Sequence, residues 1–374
     1  MDQDQTTAAG FRSEDIQILR RLPAILLREG YIDSYCVLGM LHLRFGEMRE
    51  YLSSLPDNLR ALLALFFLGD PVDQIRLQAV LAADEIGALR RLGILLDRGD
   101  SYHTAGLVLL PLFGQFLFIP KPNAEPEAYF GDDSAALAVR VSPPRHARCL
   151  DVCAGPGTQS LRCTALAKSV LALEINPIAV SCAELNFVLN SVEDRAQVRQ
   201  GDLYAALLPG EQFDYVVANP PLLPFPPDLP FPEIADGGDD GMLLMRRVLQ
   251  GLPDVLLPGG MAQIISSSLG GESGPHAEAE FAEYAQQQGC QIMMTVPARA
   301  RLRPGDRLFE VLAHSCAAPH ALPIEQVRRR MQQHFAARGA EYLYLSFLTI
   351  TLAGPRPGLQ MTQQFKHEGG FWFR

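Results

Sequence analysis

The chain has 374 residues, 48% of them apolar and 20% charged, and a formal net charge of −10. This length predicts two domains with sizeable cores, and the negative charge disfavours a nucleic-acid partner, which calls for a basic face. The seven cysteines form no CxxC pair, so a reducing cytoplasm is expected, with neither a disulfide framework nor a metal site. No apolar run approaches the ~20 residues of a membrane helix.

Helical patterns dominate the first part of the chain, and a compact unit follows them. The helical patterns cover about residues 13–28, 33–44, 46–55 and 57–68. Two short helices, 72–82 and 83–92, then precede a hairpin of 102–110 and 115–120, which predicts a winged-helix-like domain over residues 1–120. Its second helix begins with Asp84 and Glu85 and offers only Arg90 and Arg91 as cations. A lid, a substrate platform or a homodimer contact is therefore favoured over DNA reading.

Residues 121–127 are polar and proline-bearing, and they predict a linker. The next segment, residues 128–134, enters a helix and contains Asp133 and Ser134. Two interpretations of this segment stay open. It is either a turn whose aspartate or serine caps a helix or part of a ligand site.

The strongest pattern in the chain begins with the apolar run 149–152. A turn follows, Ala154-Gly155-Pro156-Gly157, and then a helical pattern to about Lys168. A second apolar run, 170–173, ends in Glu174, and a second helical pattern covers about 178–190. Strand, glycine turn, helix, strand and acidic residue form a βαβ unit that binds a nucleoside. The carboxylate can accept hydrogen bonds from both ribose hydroxyls.

Two cofactors compete for this unit. A dinucleotide site needs three glycines as GxGxxG to seat a pyrophosphate, and Gln159 and Ser160 stand where the third glycine would be. The chain adds Gly201-Asp202-Leu203 and, after the apolar run 215–218, Asn219-Pro220-Pro221-Leu222. Over residues 128–353 these motifs resemble the class I methyltransferases that use S-adenosylmethionine (SAM). The resemblance is to the NPP-motif branch, which includes the release-factor glutamine and adenine-N6 methyltransferases.

The resemblance implies an α/β fold with a doubly wound, seven-stranded, Rossmann-like sheet over residues 128–374, and SAM as cofactor. Glu174 is then expected at the ribose, Asp202 at the adenine amino group and Leu203 beside the ring. Asp151 would hold the glycine turn or approach the methionine amino group, and Cys153 replaces the first glycine of the family's DxGxGxG. The predicted cofactor-binding residues are Asp133, Ser134, Asp151, Ala154, Gly155, Gly157, Glu174, Ile175, Asp202, Leu203 and Asn219.

The catalytic residues implied by the resemblance are Asn219, Pro220 and Leu222. In the family, the asparagine amide and the proline carbonyl orient the NH₂ of the acceptor, and an aromatic residue at the fourth position stacks on it. Leu222 departs from that pattern, although Phe225 or Phe231 could supply a ring. The proline-dense loop 222–232 is expected to cover a pocket.

Several functions fit these motifs. The favoured one is N-methyl transfer by in-line displacement to a small molecule. The second hypothesis follows from a resemblance to the methyltransferase-like azetidine-2-carboxylate synthases: SAM itself cyclises to azetidine-2-carboxylate, releases methylthioadenosine and needs no other substrate. Asn219 would then orient the amino nitrogen of SAM, and Leu222 would need no planar partner. The third is methylation of RNA or of a protein glutamine, and the fourth is a binding module that has lost its activity.

Overall fold

The computed structural model describes residues 11–37, 45–121 and 128–363. Beyond Lys121, the predicted linker lies outside the described residues. The N-terminal unit, as we call residues 11–121, begins with short helices: α1 (Ser13–Leu19), α2 (Leu22–Arg28), α3 (Tyr31–Val37), α4 (Phe45–Tyr51) and α5 (Asp57–Leu62). Short 3₁₀ and π turns, Leu52–Ser54 and Leu63–Phe67, extend α4 and α5.

The predicted continuous helix over residues 13–28 is wrong, because the chain turns at Arg20 and Arg21 between α1 and α2. Pro23 lies in the first turn of α2. A proline lacks the N–H that a continuous helix would use there and disfavours helical geometry in the residue before it. The break allows both short helices to bury apolar side chains such as Leu19 and Leu26.

A winged-helix arrangement follows. Its elements are β1 (Val72–Asp73), α6 (Gln74–Gln78), α7 (Ala83–Arg91), β2 (Leu95–Arg98) and β3 (Ser101–Thr104), and the sheet order is β1-β3-β2. A separate hairpin pairs β4 (Leu107–Leu112) with β5 (Gln115–Pro120). The single hairpin predicted from residues 102–110 and 115–120 is therefore two hairpins. The first hairpin turns at Gly99 and the second at Phe113 and Gly114, and all three residues have positive φ.

Residues 128–363 form one large α/β unit. Its helices are α8 (Asp132–Arg140), α9 (Thr158–Thr164), α10 (Pro177–Leu189), α11 (Leu243–Val255), α12 (Ala277–Gln288), α13 (Arg307–Ala317) and α14 (Ile324–Ala337). Its strands are β6 (Arg148–Val152), β7 (Ser169–Glu174), β8 (Ala196–Gln200), β9 (Phe213–Ala218), β10 (Leu256–Gly271), β11 (Gly274–Pro275), β12 (Gln291–Arg301), β13 (Tyr342–Thr351) and β14 (Gly358–Gln363).

The strand order is β14-β12-β13-β10-β9-β6-β7-β8, with β11 attached to β10. Strand β13 runs antiparallel to its neighbours β10 and β12, while β14 pairs parallel to β12. This confirms the doubly wound α/β class. Among the described residues the sheet has nine strands, because β14 and the short β11 add to the seven that were predicted. Strand β14 lies at an edge and carries the partly exposed sequence Gly-Leu-Gln-Met-Thr-Gln, which has no apolar run to reveal it.

Apolar layers cover both faces of the sheet. Helices α8, α9 and α10 pack on one face, where Leu137, Leu161 and Leu185 belong to a cluster that continues into the N-terminal unit through Phe118. On the other face, α11 and α12 contribute Val248 and Phe281. The central parallel strands are buried on both sides, which explains their continuous apolar runs. No helix in the described ranges is long and apolar enough to cross a bilayer.

Candidate functional site

The predicted site residues meet at the carboxyl ends of β6, β7 and β9. From β6 the chain proceeds to β7 and β8 on one side, whereas β9 lies on the other side of β6. This reversal is the switch point at which open α/β sheets bind ligands. Ala154 follows β6, Glu174 ends β7 and Asn219 follows β9, so residues far apart in sequence share one edge of the sheet.

The glycine turn has a left-handed backbone at three positions. Cys153, Gly155 and Gly157 have φ values of 58°, 55° and 85°. A Cβ on Gly157 would lie 2.9 Å from Cε1 of Phe187, whereas one on Gly155 would meet nothing closer than the Tyr129 carbonyl oxygen at 3.7 Å. Gly157 is therefore required for packing, and Gly155 leaves room beside the turn. Cys153 adopts a conformation that favours glycine, at a cost in strain.

Both carboxylate oxygens of Glu174 accept backbone hydrogen bonds, and one of these comes from the glycine turn. Oε2 accepts a hydrogen bond from the Gly155 N–H, and Oε1 accepts one from the Asn176 N–H, each at 2.8 Å. Two carboxylate oxygens offer about four acceptor positions, so capacity remains for a diol. Beside it, Ile175 exposes 62% of its surface, which is a large exposed fraction for an apolar side chain.

Asp202 lies in the loop after β8 and is about half exposed. Its Oδ2 accepts a hydrogen bond from Nη2 of Arg247 at 2.8 Å. Leu203 follows with a φ of 48° and is buried. Arg247, which lies on α11, was not among the predicted site residues, because no sequence motif includes it.

Asp151 is fully buried behind the glycine turn. Its Oδ2 accepts a hydrogen bond from Ser160 Oγ at 2.7 Å, which ties α9 to the end of β6. Burial raises the pKa of its carboxyl group to about 7, and the neighbouring Glu174 charge acts in the same direction. This contact fits the turn-holding alternative for Asp151.

Asp133 and Ser134, in the first turn of α8, lie beside Asn219. Tyr129 Oη donates to Asp133 Oδ1 at 2.6 Å, and Asn219 Nδ2 donates to Ser134 Oγ at 3.1 Å. Gln159 Nε2 donates to the Ser134 carbonyl at 2.9 Å. Burial raises the pKa of Asp133 and, together with the Asp133 charge, the pKa of Tyr129. The structure thus joins the 128–134 segment to the Asn-Pro-Pro motif.

Leu222 is buried, and its backbone is tightly enclosed. Its carbonyl accepts a hydrogen bond from Ser267 Oγ, and a Cβ on Gly237 would lie 2.7 Å from the Leu222 carbonyl carbon. The two phenylalanines do not replace the missing ring. Phe225 and Phe231 stack on each other with centroids 4.2 Å apart, and Phe225 is buried in an apolar cluster with α13 and α14.

The proline-dense loop is fixed by the α13–α14 insertion, a helical hairpin between β12 and β13. Arg330 pairs with Asp228 in the loop, and Arg338 pairs with Asp239, in the segment that follows the loop, at 2.5 Å. His334 contacts the Asp239 carbonyl through Nε2 at 2.6 Å. The loop therefore packs beneath the insertion, and its role as a cover over a pocket stays a prediction.

The chain resembles known proteins over the same residues. A family model described as the methyltransferase small domain matches residues 128–225. A Methanocaldococcus jannaschii protein that is named for protein N5-glutamine methyltransferase activity is 33% identical over 158 residues, which cover 41% of this chain and 78% of that protein. The chain belongs to the SAM-dependent methyltransferases.

Two further relatives of this methyltransferase match over a smaller share of their length. The release factor glutamine methyltransferase of Clostridium acetobutylicum is 33% identical over 126 residues, covering 30% of this chain and 43% of that protein. The ribosomal protein uL3 glutamine methyltransferase of Bradyrhizobium diazoefficiens is 30% identical over 149 residues, covering 36% of this chain and 45% of that protein. The chain thus spans less than half the length of these two relatives.

The names of these relatives contradict the prediction about the partners of this chain. We expected a small-molecule acceptor, or none beyond SAM, with nucleic acid disfavoured. That prediction is wrong, because the relatives are named for proteins and, in one case at 27% identity, for a transfer RNA. The net charge of the whole chain is a poor guide here, because an acceptor contacts one surface rather than the average of all.

The residues around the turn of this methyltransferase fit SAM. Close to the glycine turn, three buried polar atoms have no hydrogen-bond partner among the described residues: Asp151 Oδ1, Thr158 Oγ1 and Gln159 Oε1. Buried polar atoms are normally paired, so partners from a ligand or its water are expected here. The open space beside Gly155 and the remaining acceptor capacity of Glu174 lie at the same edge of the sheet.

Proposed function

We propose that this chain is a SAM-dependent N5-glutamine methyltransferase that modifies a protein. The observation that carries the proposal is the 33% identity to a protein N5-glutamine methyltransferase over 78% of that protein, combined with the placement of Asn219. Asn219 follows β9, and its amide nitrogen donates to Ser134 Oγ at 3.1 Å. That bond leaves Asn219 Oδ1 as the amide atom that can accept a hydrogen bond from a substrate.

Glutamine needs such acceptors. The lone pair of its amide nitrogen is delocalised into the carbonyl, so the nitrogen is a weak nucleophile in water. When bound, SAM supplies an activated methyl group on a sulfonium. We assign Asn219 Oδ1 and the Pro220 carbonyl as acceptors for the two N–H bonds of the substrate, because two acceptors orient an NH₂ group. Positioning and exclusion of water are then the main contributions of the protein.

Leu222 favours glutamine over adenine as the acceptor. Stacking of a base on an aromatic ring is worth about 1–3 kcal/mol, and Leu222 offers no ring. The nearest aromatic residues along the loop, Phe225 and Phe231, stack on each other instead. A side-chain amide presents a much smaller planar surface than a purine. It therefore loses less stacking energy when an aliphatic side chain such as Leu222 replaces the aromatic ring.

The test is methyl transfer to defined macromolecules. Purified protein is incubated with SAM carrying a labelled methyl group and with one of three probes: a peptide-chain release factor, ribosomal protein uL3 or bulk transfer RNA. We expect label in a protein probe that is removed by protease and that acid hydrolysis releases as methylamine. Label that only ribonuclease removes would contradict the proposal, as would no transfer to either protein.

Asn219→Ala provides the residue-level control. It should reduce transfer at least about 100-fold, in the range of losses caused by removing one positioned polar group, while the dissociation constant for SAM changes less than about threefold. Equal loss of SAM binding and transfer would mean that Asn219 holds SAM rather than the acceptor.

A further inference from the structure

Asn186 connects the N-terminal unit to the glycine turn. It lies on α10 and is fully buried. Its Oδ1 accepts a hydrogen bond from the Phe118 N–H at 2.7 Å, and its Nδ2 donates to the Phe118 carbonyl at 2.8 Å. The same Nδ2 donates to the Pro156 carbonyl at 2.9 Å. One side chain therefore contacts strand β5 and the turn between β6 and α9.

Asn190 makes the same type of contact with β5, but it does not contact the turn in the described structure. It lies one helical turn further along the chain, and its Oδ1 accepts from the Phe116 N–H at 2.9 Å while its Nδ2 donates to the Phe116 carbonyl at 2.6 Å. Its other hydrogen bond is to the Asn186 carbonyl, at 2.7 Å. Asn190 thus binds β5 as Asn186 does, and the structure records no bond from it to the turn.

We propose that Asn186 is a positioning residue for SAM, which fixes the glycine turn and couples its geometry to the docking of the β4–β5 hairpin. Pro156 lies between Gly155 and Gly157, both with positive φ, and glycines have the greatest backbone freedom to lose on ordering. A donor to the Pro156 carbonyl restrains the turn before SAM arrives, which reduces the ordering cost of binding. The proposal concerns SAM alone and does not depend on glutamine being the acceptor.

The coupling must act in both directions, because linkage between two binding equilibria is reciprocal. If hairpin docking orders the turn through Asn186, SAM binding at the turn also stabilises the docked hairpin. The Phe118 N–H donates to Asn186, so its exchange with solvent should slow when SAM binds.

The matched pair Asn186→Ala and Asn190→Ala tests the proposal in the full-length chain. Both variants lose hydrogen bonds to β5 and should lower the melting temperature. Titration calorimetry with SAM, well below both melting temperatures, should show a dissociation constant about tenfold higher for Asn186→Ala, the cost of about one hydrogen bond. For Asn190→Ala it should stay within about twofold of wild type.

Asn186→Asp separates the two contacts further. Aspartate can still accept from the Phe118 N–H but cannot donate to the Phe118 or Pro156 carbonyl. It thus keeps one contact with β5 and loses the contact with the turn, so SAM affinity should fall as it does in Asn186→Ala. Unchanged SAM affinity in both Asn186 variants would overturn the proposal, as would an equal loss in Asn190→Ala. If the Asn186 variants do not fold, hydrogen exchange of the wild-type chain decides. Protection of residues 115–120 by SAM supports the coupling, and no change overturns it.

Discussion

Asp151→Asn should stabilise the protein at alkaline pH. Asp151 is fully buried, and burial raises the pKa of its carboxyl group to about 7, compared with about 3.9 in an unfolded chain. Above pH 7 the native state therefore holds a buried charge that the unfolded state holds in water. Asparagine has nearly the same shape, and its Oδ1 can accept the Ser160 hydrogen bond in place of Asp151 Oδ2.

The magnitude follows from the pKa and the hydrogen bonds. A difference of about 3 pKa units at about 1.4 kcal/mol each corresponds to about 4 kcal/mol of lost stability at pH 8. Asparagine removes this cost, but its NH₂ replaces Asp151 Oδ1, which has no partner among the described residues, and an unpaired buried group costs about 1–3 kcal/mol. The net gain in free energy of unfolding at pH 8 is about 2 kcal/mol.

The gain should depend on pH. Wild-type Asp151 binds a proton in the native state between about pH 4 and pH 7 and not in the unfolded state, so its contribution to stability falls as pH rises through this window and is constant above it. At pH 5 the native carboxyl group is already neutral, and the variant and wild type should be nearly equally stable. Urea unfolding at pH 5 and pH 8, without SAM, measures both values. A destabilised variant at pH 8, or the same difference at both pH values, would refute the reasoning.

Three further substitutions test other parts of the site. Glu174→Ala removes the acceptor of the Gly155 N–H and should raise the SAM dissociation constant at least about tenfold in calorimetry. Asp202→Ala breaks an ion pair with half-exposed partners, so the melting temperature should hardly change while SAM binds several-fold more weakly; a large loss of stability would contradict this. Cys153→Gly relieves a left-handed φ and should add about 1 kcal/mol to the free energy of unfolding. A loss of stability would show that packing of the Cys153 side chain contributes more than the backbone strain costs.

The sequence predicted those elements of the fold that a short run of neighbouring residues is sufficient to identify. Strands β6, β7 and β9 are buried on both faces, so they appear as apolar runs bounded by turn residues. Strand β14 escaped prediction because its side chains are partly exposed at an edge. Pro23 indicates the break between α1 and α2, but the apolar residues on both sides of it keep a helical spacing, which predicts one continuous helix.

The site divides in the same way. Glu174 ends β7 and Asn219 follows β9. Both strands run parallel to β6, which lies between them, so topology alone brings the two residues to one edge of the sheet. Arg247 and Asn186 were not predictable, because their contacts with Asp202 and Pro156 join elements 45 and 30 positions apart in sequence. Leu222 shows a further limit. Its departure from the family pattern was visible, but the enclosure of its backbone by Gly237 depends on the folded loop.

Asn186, on α10, and Asn190, at the C-terminal cap of α10, also cover one edge of strand β5. Strand β5 pairs with β4 along one edge, and its apolar sequence would be a template for another strand if the opposite edge were open. Asn186 and Asn190 bind the N–H and carbonyl groups of Phe118 and Phe116 on that edge. A helix thus closes the hairpin with side-chain amides, and removing both amides should make the chain prone to aggregate through this strand.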